Sequence, residues 1–287
     1  MNKKIFAGHE SFNCRPLWLK KGYDFIKSGK LFSDVSAIVN LGVGKNMVNA
    51  IEYWMKSFDL LDSNKNLTTL AEFLFGENGK DPYLENPASL WLLHYSLIKT
   101  QKASLYSILF NNFRRERIEF TKDNLIHFVE LQCERESISI NRNSVKKDID
   151  VLLKTYVKPQ RTKRNFEEEY SGLFIDLMLI KRFGMTEQNE QIYNININEH
   201  GNIPFEIILF VILDQFENME SISFFKLMYD KNSPGICFSL NEDGLANHIK
   251  NIIANYNITF TEDAGIKELQ INEKIDKWEI IKNCYEK

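Results

Sequence analysis

The stretch Leu41-Gly42-Val43-Gly44-Lys45-Asn46-Met47-Val48-Asn49-Ala50-Ile51-Glu52-Tyr53-Trp54 constrains the fold more than any other. Two glycines one residue apart permit a tight turn, because glycine tolerates left-handed backbone. Behind the turn, apolar residues recur at helical spacing. Advancing 100° per residue along 45–58 gathers Met47, Val48, Ile51, Trp54, Met55 and Phe58 into an arc of about 120°. Lys45, Asn46, Asn49, Glu52, Tyr53 and Lys56 fill the opposite arc. A short helix over 33–40 precedes the turn, and a hairpin over 60–67 follows the helix. Helix, turn, helix, hairpin is the layout of a winged helix-turn-helix.

The rest of the chain extends this pattern. Helices are expected over 17–28, 68–75, 88–99, 104–114, 122–135, 144–156, 170–183, 204–216 and 243–255, with strands at 192–197, 258–260 and 269–271. Pro16 suits a first helical turn, where its missing N–H costs nothing. The fold class that follows is mainly α, α+β in detail, with tandem winged helix-turn-helix units and small β-hairpin wings. Three regions are expected: 1–100, an N-terminal arm with the first winged unit and a core helix; 101–166, a second winged-helix-like unit with a basic loop; and 167–287, an acidic helical domain containing a third winged-helix-like unit.

Charge divides the chain. Residues 1–166 hold 26 Lys and Arg against 18 Asp and Glu, whereas 167–287 hold 10 against 21, so a net of −3 conceals a basic front and an acidic back. Polyanion binding therefore belongs to the first half. The polar face of helix 45–58 offers Lys45, Asn46, Asn49 and Lys56 to DNA, although Glu52 sits among them. The helix around 143–156 divides more cleanly. Val145, Ile149, Leu152, Leu153 and Tyr156 form its core face, and Asn143, Lys146, Lys147, Asp150 and Lys154 lie opposite. Asn143, Lys146, Lys147 and Lys154, with Arg142 before them and the loop cations Lys158, Arg161, Lys163 and Arg164 after, are the further candidate DNA-binding residues. Such contacts to phosphates position a protein without reading sequence. A solvated surface would show the same residues. Helix 243–255 opens on acidic residues and carries Lys250 as its only cation, so it is expected to pack internally or bind protein.

Other chemistries find little support. Gly42-Val43-Gly44-Lys45 lacks the spacing of a phosphate-binding loop. Cys14, Cys133, Cys237 and Cys284 form no paired spacing, so neither a zinc site nor a disulfide framework is expected, and a reduced cytoplasmic location is. No run is long enough to span a membrane, and 205–213 is broken by Glu206. No cofactor or metal is implied and no catalytic residue stands out. His9-Glu10 is the only histidine beside a carboxylate, without the second histidine of a zinc-protease helix.

Several phrases occur together: Phe6-Ala7-Gly8-His9-Glu10-Ser11-Phe12, Arg15-Pro16-Leu17-Trp18-Leu19-Lys20-Lys21-Gly22, the glycine turn with its helix, and Asp81-Pro82-Tyr83-Leu84-Glu85 with Leu90-Trp91-Leu92-Leu93-His94. Over about the first hundred residues they resemble the bacterial family called domain of unknown function 4007. The resemblance implies a gene neighbourhood of DNA-modification and phage-defence enzymes, some similar to sulfate-adenylate reductases. It therefore implies a non-catalytic DNA-binding protein that acts in, or regulates, a DNA-modification system such as DNA phosphorothioation. Its partners would be double-stranded DNA, protein subunits of the complex, and a second copy of itself through the acidic third. A protein-only adaptor is the alternative, and a nuclease using His9 and Glu10 a third. In the N-terminal motif, His9, Glu10 and Arg15 are read as a structural network, a His–Glu or Glu–Arg pair pinning the arm. The functional alternative is an anion contact through Arg15, Lys20 and Lys21.

Overall fold

A computed structural model describes residues 4–159, 172–217, 219–263 and 265–286. The chain is a mixed α+β protein, dominated by helix, with two small three-stranded sheets. It divides into two compact units: Met1–Glu85 with Ser96–Asn196, and Asn86–Tyr95 with Ile197–Lys287. The expected boundary at 166 lies outside the described residues.

The first unit opens with α1 (Pro16–Lys27), with proline at its first position. Helix α2 (Ala37–Leu41) ends at Gly42, whose φ of 64° reverses the chain. It starts later than the expected 33–40, because 32–36 are taken up by turns. Helix α3 (Lys45–Ser57) follows. The expected hairpin after it is reduced to one antiparallel bridge, Leu61 to Leu67. Helix α4 (Thr69–Phe75) is capped by the Thr68 hydroxyl, which accepts from Ala71 N–H. Helix α5 (Pro87–Thr100) gives its first nine residues to the second unit and the rest to the first.

Helix α6 (Ser104–Ile108) passes through a π-helical turn, Leu109–Phe113, into α7 (Arg114–Glu116). Strand β1 (Glu119–Phe120) precedes α8 (Lys122–Arg135), which starts on a capping box of Thr121 and Asn124. Helix α9 (Arg142–Tyr156) is capped by Asn141. The helix expected over 170–183 is not one. Among its described residues, a 3-10 turn spans Ile175–Leu177, and Met178 with φ 52° ends it. Strand β2 (Ile180–Met185) and strand β3 (Gln191–Ile195) then form a hairpin, and the sheet order is β1-β3-β2. Leu173, Phe174 and Leu177 are buried, so their helical spacing marks burial of a single turn.

A closed set of aromatic rings centres the first unit. Trp54 stacks on Phe58 and meets Tyr106 edge-on, Tyr106 meets Tyr156, Tyr156 meets Phe174, and Phe174 returns to Phe58, with centroids 5.4–6.1 Å apart. Four elements of the chain supply these rings, so α3, α6 and α9 are locked by one packed cluster.

The second unit begins with residues 86–95 of α5 and continues with α10 (Phe205–Gln215), β4 (Ser221–Ser223), α11 (Phe224–Tyr229), α12 (Pro234–Cys237) and α13 (Glu242–Asn255). The hairpin β5 (Ile258–Asp263) and β6 (Ile266–Ile271) completes a sheet of order β4-β6-β5. Helix α14 (Lys277–Lys282) follows. Trp91, His94, His200 and Phe238 pack ring against ring in its core. Among the described residues, no helix is long and apolar enough to cross a membrane.

Candidate nucleic-acid interface

Helix α3 presents the two faces that its spacing predicts. Val48, Ile51, Trp54, Met55 and Phe58 are fully buried, and Met47 is half-buried. Lys45 and Asn46 are exposed, and Asn49 and Lys56 are half-buried. Lys56 is not available as a bare cation, because Glu52 accepts from it at 2.7 Å and from Lys65 at 2.9 Å. Burial opposes the Glu52 charge, but these two ammonium groups prevail and hold its carboxyl below the ordinary value. The positive potential of this face therefore gathers at its N-terminal end, at Lys45.

Helix α9 carries the more basic outer face. Val145, Ile149, Leu152, Leu153 and Tyr156 are buried, whereas Asn143, Lys146, Lys147, Asp150 and Lys154 are exposed. Two charges on this side are compensated: Arg142 pairs with Glu130, and Asp150 with Lys122. Lys146, Lys147 and Lys154 have no carboxylate partner among the described residues. Lys158 is exposed just past the helix. Arg161, Lys163 and Arg164 lie outside the described residues. Strand β2 adds Lys181 and Arg182, both exposed and near Lys158 around one cavity. These two cations are absent from the sequence-based set because 170–183 reads as a helix, which hides their place on a strand.

The N-terminal motif is held inside the first unit. His9 is 1% exposed, stacks on Trp54 and meets Tyr53 edge-on. Its Nδ1 accepts from the Ser11 N–H at 3.1 Å, so the proton of a neutral ring sits on Nε2. That nitrogen lies 3.0 Å from Asp148 Oδ1, at an angle short of an aligned hydrogen bond. The same oxygen accepts from Ala7 N–H at 2.8 Å. The partner of His9 is thus Asp148 of α9 and not Glu10, which is exposed with φ 49°. Arg15 lies over the Trp18 ring at 5.6 Å, Lys20 pairs with Asp24, and Lys21 is exposed. Gly8 is pressed against Tyr53, where an added Cβ would come within 2.4 Å of the ring. Burial first, and the Asp148 charge second, raise the Tyr53 phenol well above its ordinary value.

Asp148 is the residue that sequence reasoning passes over. It lies about 60° from Val145 on the helical wheel, just beyond the Leu152 edge of the core arc. A carboxylate bordering a core arc and buried there needs a buried partner.

Among the described residues, no group of three or more His, Cys, Asp or Glu side chains is placed to hold a metal ion. A family model described as Protein of unknown function (DUF4007) matches residues 6–285. Two solved structures are similar. A magnesium ion-bound SspB crystal structure superposes with a TM-score of 0.85 and 28% identity, covering 98% of this chain and 88% of that one. A second SspB crystal structure gives 0.83 and 27% over the same shares. No curated protein matches.

Proposed function

This chain belongs to the family of proteins of unknown function DUF4007, and from that membership and its likeness to SspB we propose that it is a DNA-binding component of a bacterial DNA sulfur-modification or phage-defence system. In this reading three winged helix-turn-helix units follow one another, and the first two bind double-stranded DNA. The acidic C-terminal third, 167–287, recruits protein subunits or a second copy of the chain, in the cytoplasm.

The observation that carries the reading is the uncompensated cation row Lys146, Lys147 and Lys154 on the outer face of α9. The surrounding topology supports it. A short strand, two helices and a hairpin occur in that order twice: β1, α8, α9, β2–β3, and β4, α11, α13, β5–β6 with the short α12 between its helices. In both sheets the last strand lies in the middle. That order is compatible with a winged helix and supports reading α9 and α13 as its recognition helices. Helix α3 with the Leu61–Leu67 bridge is a reduced version.

A gel shift with generic duplex DNA across a salt series tests this. Six or more phosphate contacts give a log–log slope of around −5 or steeper. Lys146→Glu/Lys147→Glu should weaken binding to all sequences and flatten the slope by about 2. Lys45→Glu/Lys56→Glu should do less, since Glu52 already engages Lys56. Salt-independent behaviour, or no shift at all, would leave the protein-only adaptor as the better account.

The magnesium ion in one SspB structure favours a second reading, a metal-dependent enzyme acting on DNA. The described residues offer no three-ligand cluster for such an ion, and His9 is buried against Asp148 while Glu10 is exposed. Magnesium-dependent nicking of plasmid DNA, lost in His9→Ala with folding intact, would put this reading first.

A further inference from the structure

We propose that the β2–β3 hairpin carries an aromatic wedge, Phe183, that stacks on an unpaired DNA base while Lys181 and Arg182 hold the flanking phosphates. The proposal rests on the DNA-binding reading and specifies which form of DNA the first compact unit prefers.

The pairing of the hairpin isolates Phe183. Ile180, Lys181 and Arg182 face Ile195, Asn194 and Tyr193, and pairing resumes with Gly184 on Ile192 and Met185 on Gln191. Phe183 is the one extra residue, a β-bulge. A bulge leaves its extra residue outside the ladder and re-aims the side chain, and bulges recur beside functional sites. Here the outcome is a phenyl ring 62% exposed, with Met185 at 50% next along the strand. Aromatic and thioether groups that could pack against the sheet are instead directed to solvent.

Charge selects the occupant. Lys181 and Arg182 immediately precede the ring, are exposed, and have no carboxylate partner among the described residues. Beside them, a cavity of about 540 Å³ is lined by Tyr156, Lys158, Asp176, Met178, Lys181 and Arg182. Three cations against one carboxylate suit a phosphate backbone, and the cavity borders the C-terminal end of α9 at Tyr156. An aromatic ring interleaved with cations is the composition of a stacking platform for single-stranded nucleic acid. Within a paired duplex the base faces are covered by their neighbours. The ligand is therefore DNA with an unstacked base, at a fork, gap or bulge.

The test uses the full chain and three probes: a 30-base-pair duplex, the same duplex with one unpaired thymine, and that probe with 5-iodouracil as the unpaired base. Wild type should bind the unpaired-base probe roughly fivefold or more tighter than duplex, as one stacked base requires. Phe183→Ala should remove that preference while duplex affinity stays within about twofold, and Phe183→Trp should retain it. Photocrosslinking should join the iodouracil to Phe183. Phe183 is solvent-exposed, so the melting temperature of the alanine variant should match wild type, which separates lost stacking from lost folding. If Phe183→Ala keeps the preference, or wild type binds duplex and unpaired probe equally, the wedge is overturned while the DNA-binding reading stands. If wild type binds none of the probes, both fail together.

Discussion

Asp148 anchors the N-terminal arm through a single carboxylate oxygen that meets both Ala7 N–H and the His9 ring. The His9 ring has no water to turn to when that oxygen is removed, since His9 and Asp148 are 1% and 4% exposed. Asp148→Ala should therefore destabilise the first unit by about 3 kcal/mol, the cost of stranding buried donors. Asp148→Asn keeps an acceptor and should cost roughly half as much. Urea unfolding followed by tryptophan fluorescence measures both, and Trp54 under the His9 ring makes the local signal sensitive. A loss under 1 kcal/mol in the alanine variant would mean that the arm is held by packing alone.

His94 supplies a second residue-scale test. It is fully buried in the second unit, and its Nε2 donates to the Cys237 carbonyl at 2.8 Å. Burial, partly opposed by that hydrogen bond, lowers its pKa to about 3. The unfolded chain takes up this proton near pH 6.5, and the folded chain does not until near pH 3. The neutral ring thus contributes its full stability above pH 6.5 and loses it as pH falls through that window, by up to about 1.4 kcal/mol per unit. Urea midpoints at pH 7, 6 and 5 should fall in wild type and fall less in His94→Gln. Equal slopes would show that carboxylates set the acid response.

At the scale of elements, what the sequence discloses depends on how locally an element is specified. Helix α8 was readable from apolar residues at helical spacing, and its start is fixed locally by the cap that Thr121 and Asn124 form within four residues. Thr121→Ala should cost about 1 kcal/mol, the usual value of such a cap, with little change in the helical circular dichroism of the folded protein. The glycine turn was readable for the same reason: Gly42 adopts φ 64° with nothing but its own backbone to require it. The faces of α3 and α9 followed from spacing, since a core arc of Val, Ile, Leu and Trp buries itself in any fold. Strands β1 and β2 were not readable. Glu119 and Phe120 become a strand only by pairing with Asn194 and Tyr193, more than seventy residues on. The alternation of β2 is interrupted at Phe183, where the bulge removes the period of two. The candidate site divides likewise. Lys146 and Lys147 were visible on one helix, whereas the sheet is what brings Lys181 and Arg182 beside Lys158.

At the scale of the molecule, the second unit is not a continuous piece of chain. Residues 86–95 of α5 belong to it although a hundred residues separate them from Ile197. Their ties are polar as well as apolar. Asn86 donates to the Cys284 carbonyl, Ser89 hydrogen-bonds with Tyr285, His94 donates to the Cys237 carbonyl, and the Tyr95 hydroxyl donates to Asp214, which also accepts from Lys277. Trp91 is fully buried against Phe238 and His200. Removing a buried tryptophan alone costs about 3–5 kcal/mol, of the order of a small domain's whole stability. A fragment of residues 197–287 should therefore lack a cooperative unfolding transition. Joining residues 86–100 to its N-terminus through a flexible linker should restore one, because that segment returns Trp91, His94 and Tyr95 together. Thermal unfolding of the two fragments decides it. A fragment of 197–287 that melts cooperatively by itself would show that the sheet β4-β6-β5 and its helices suffice, and that α5 is a covering and not a member of the core.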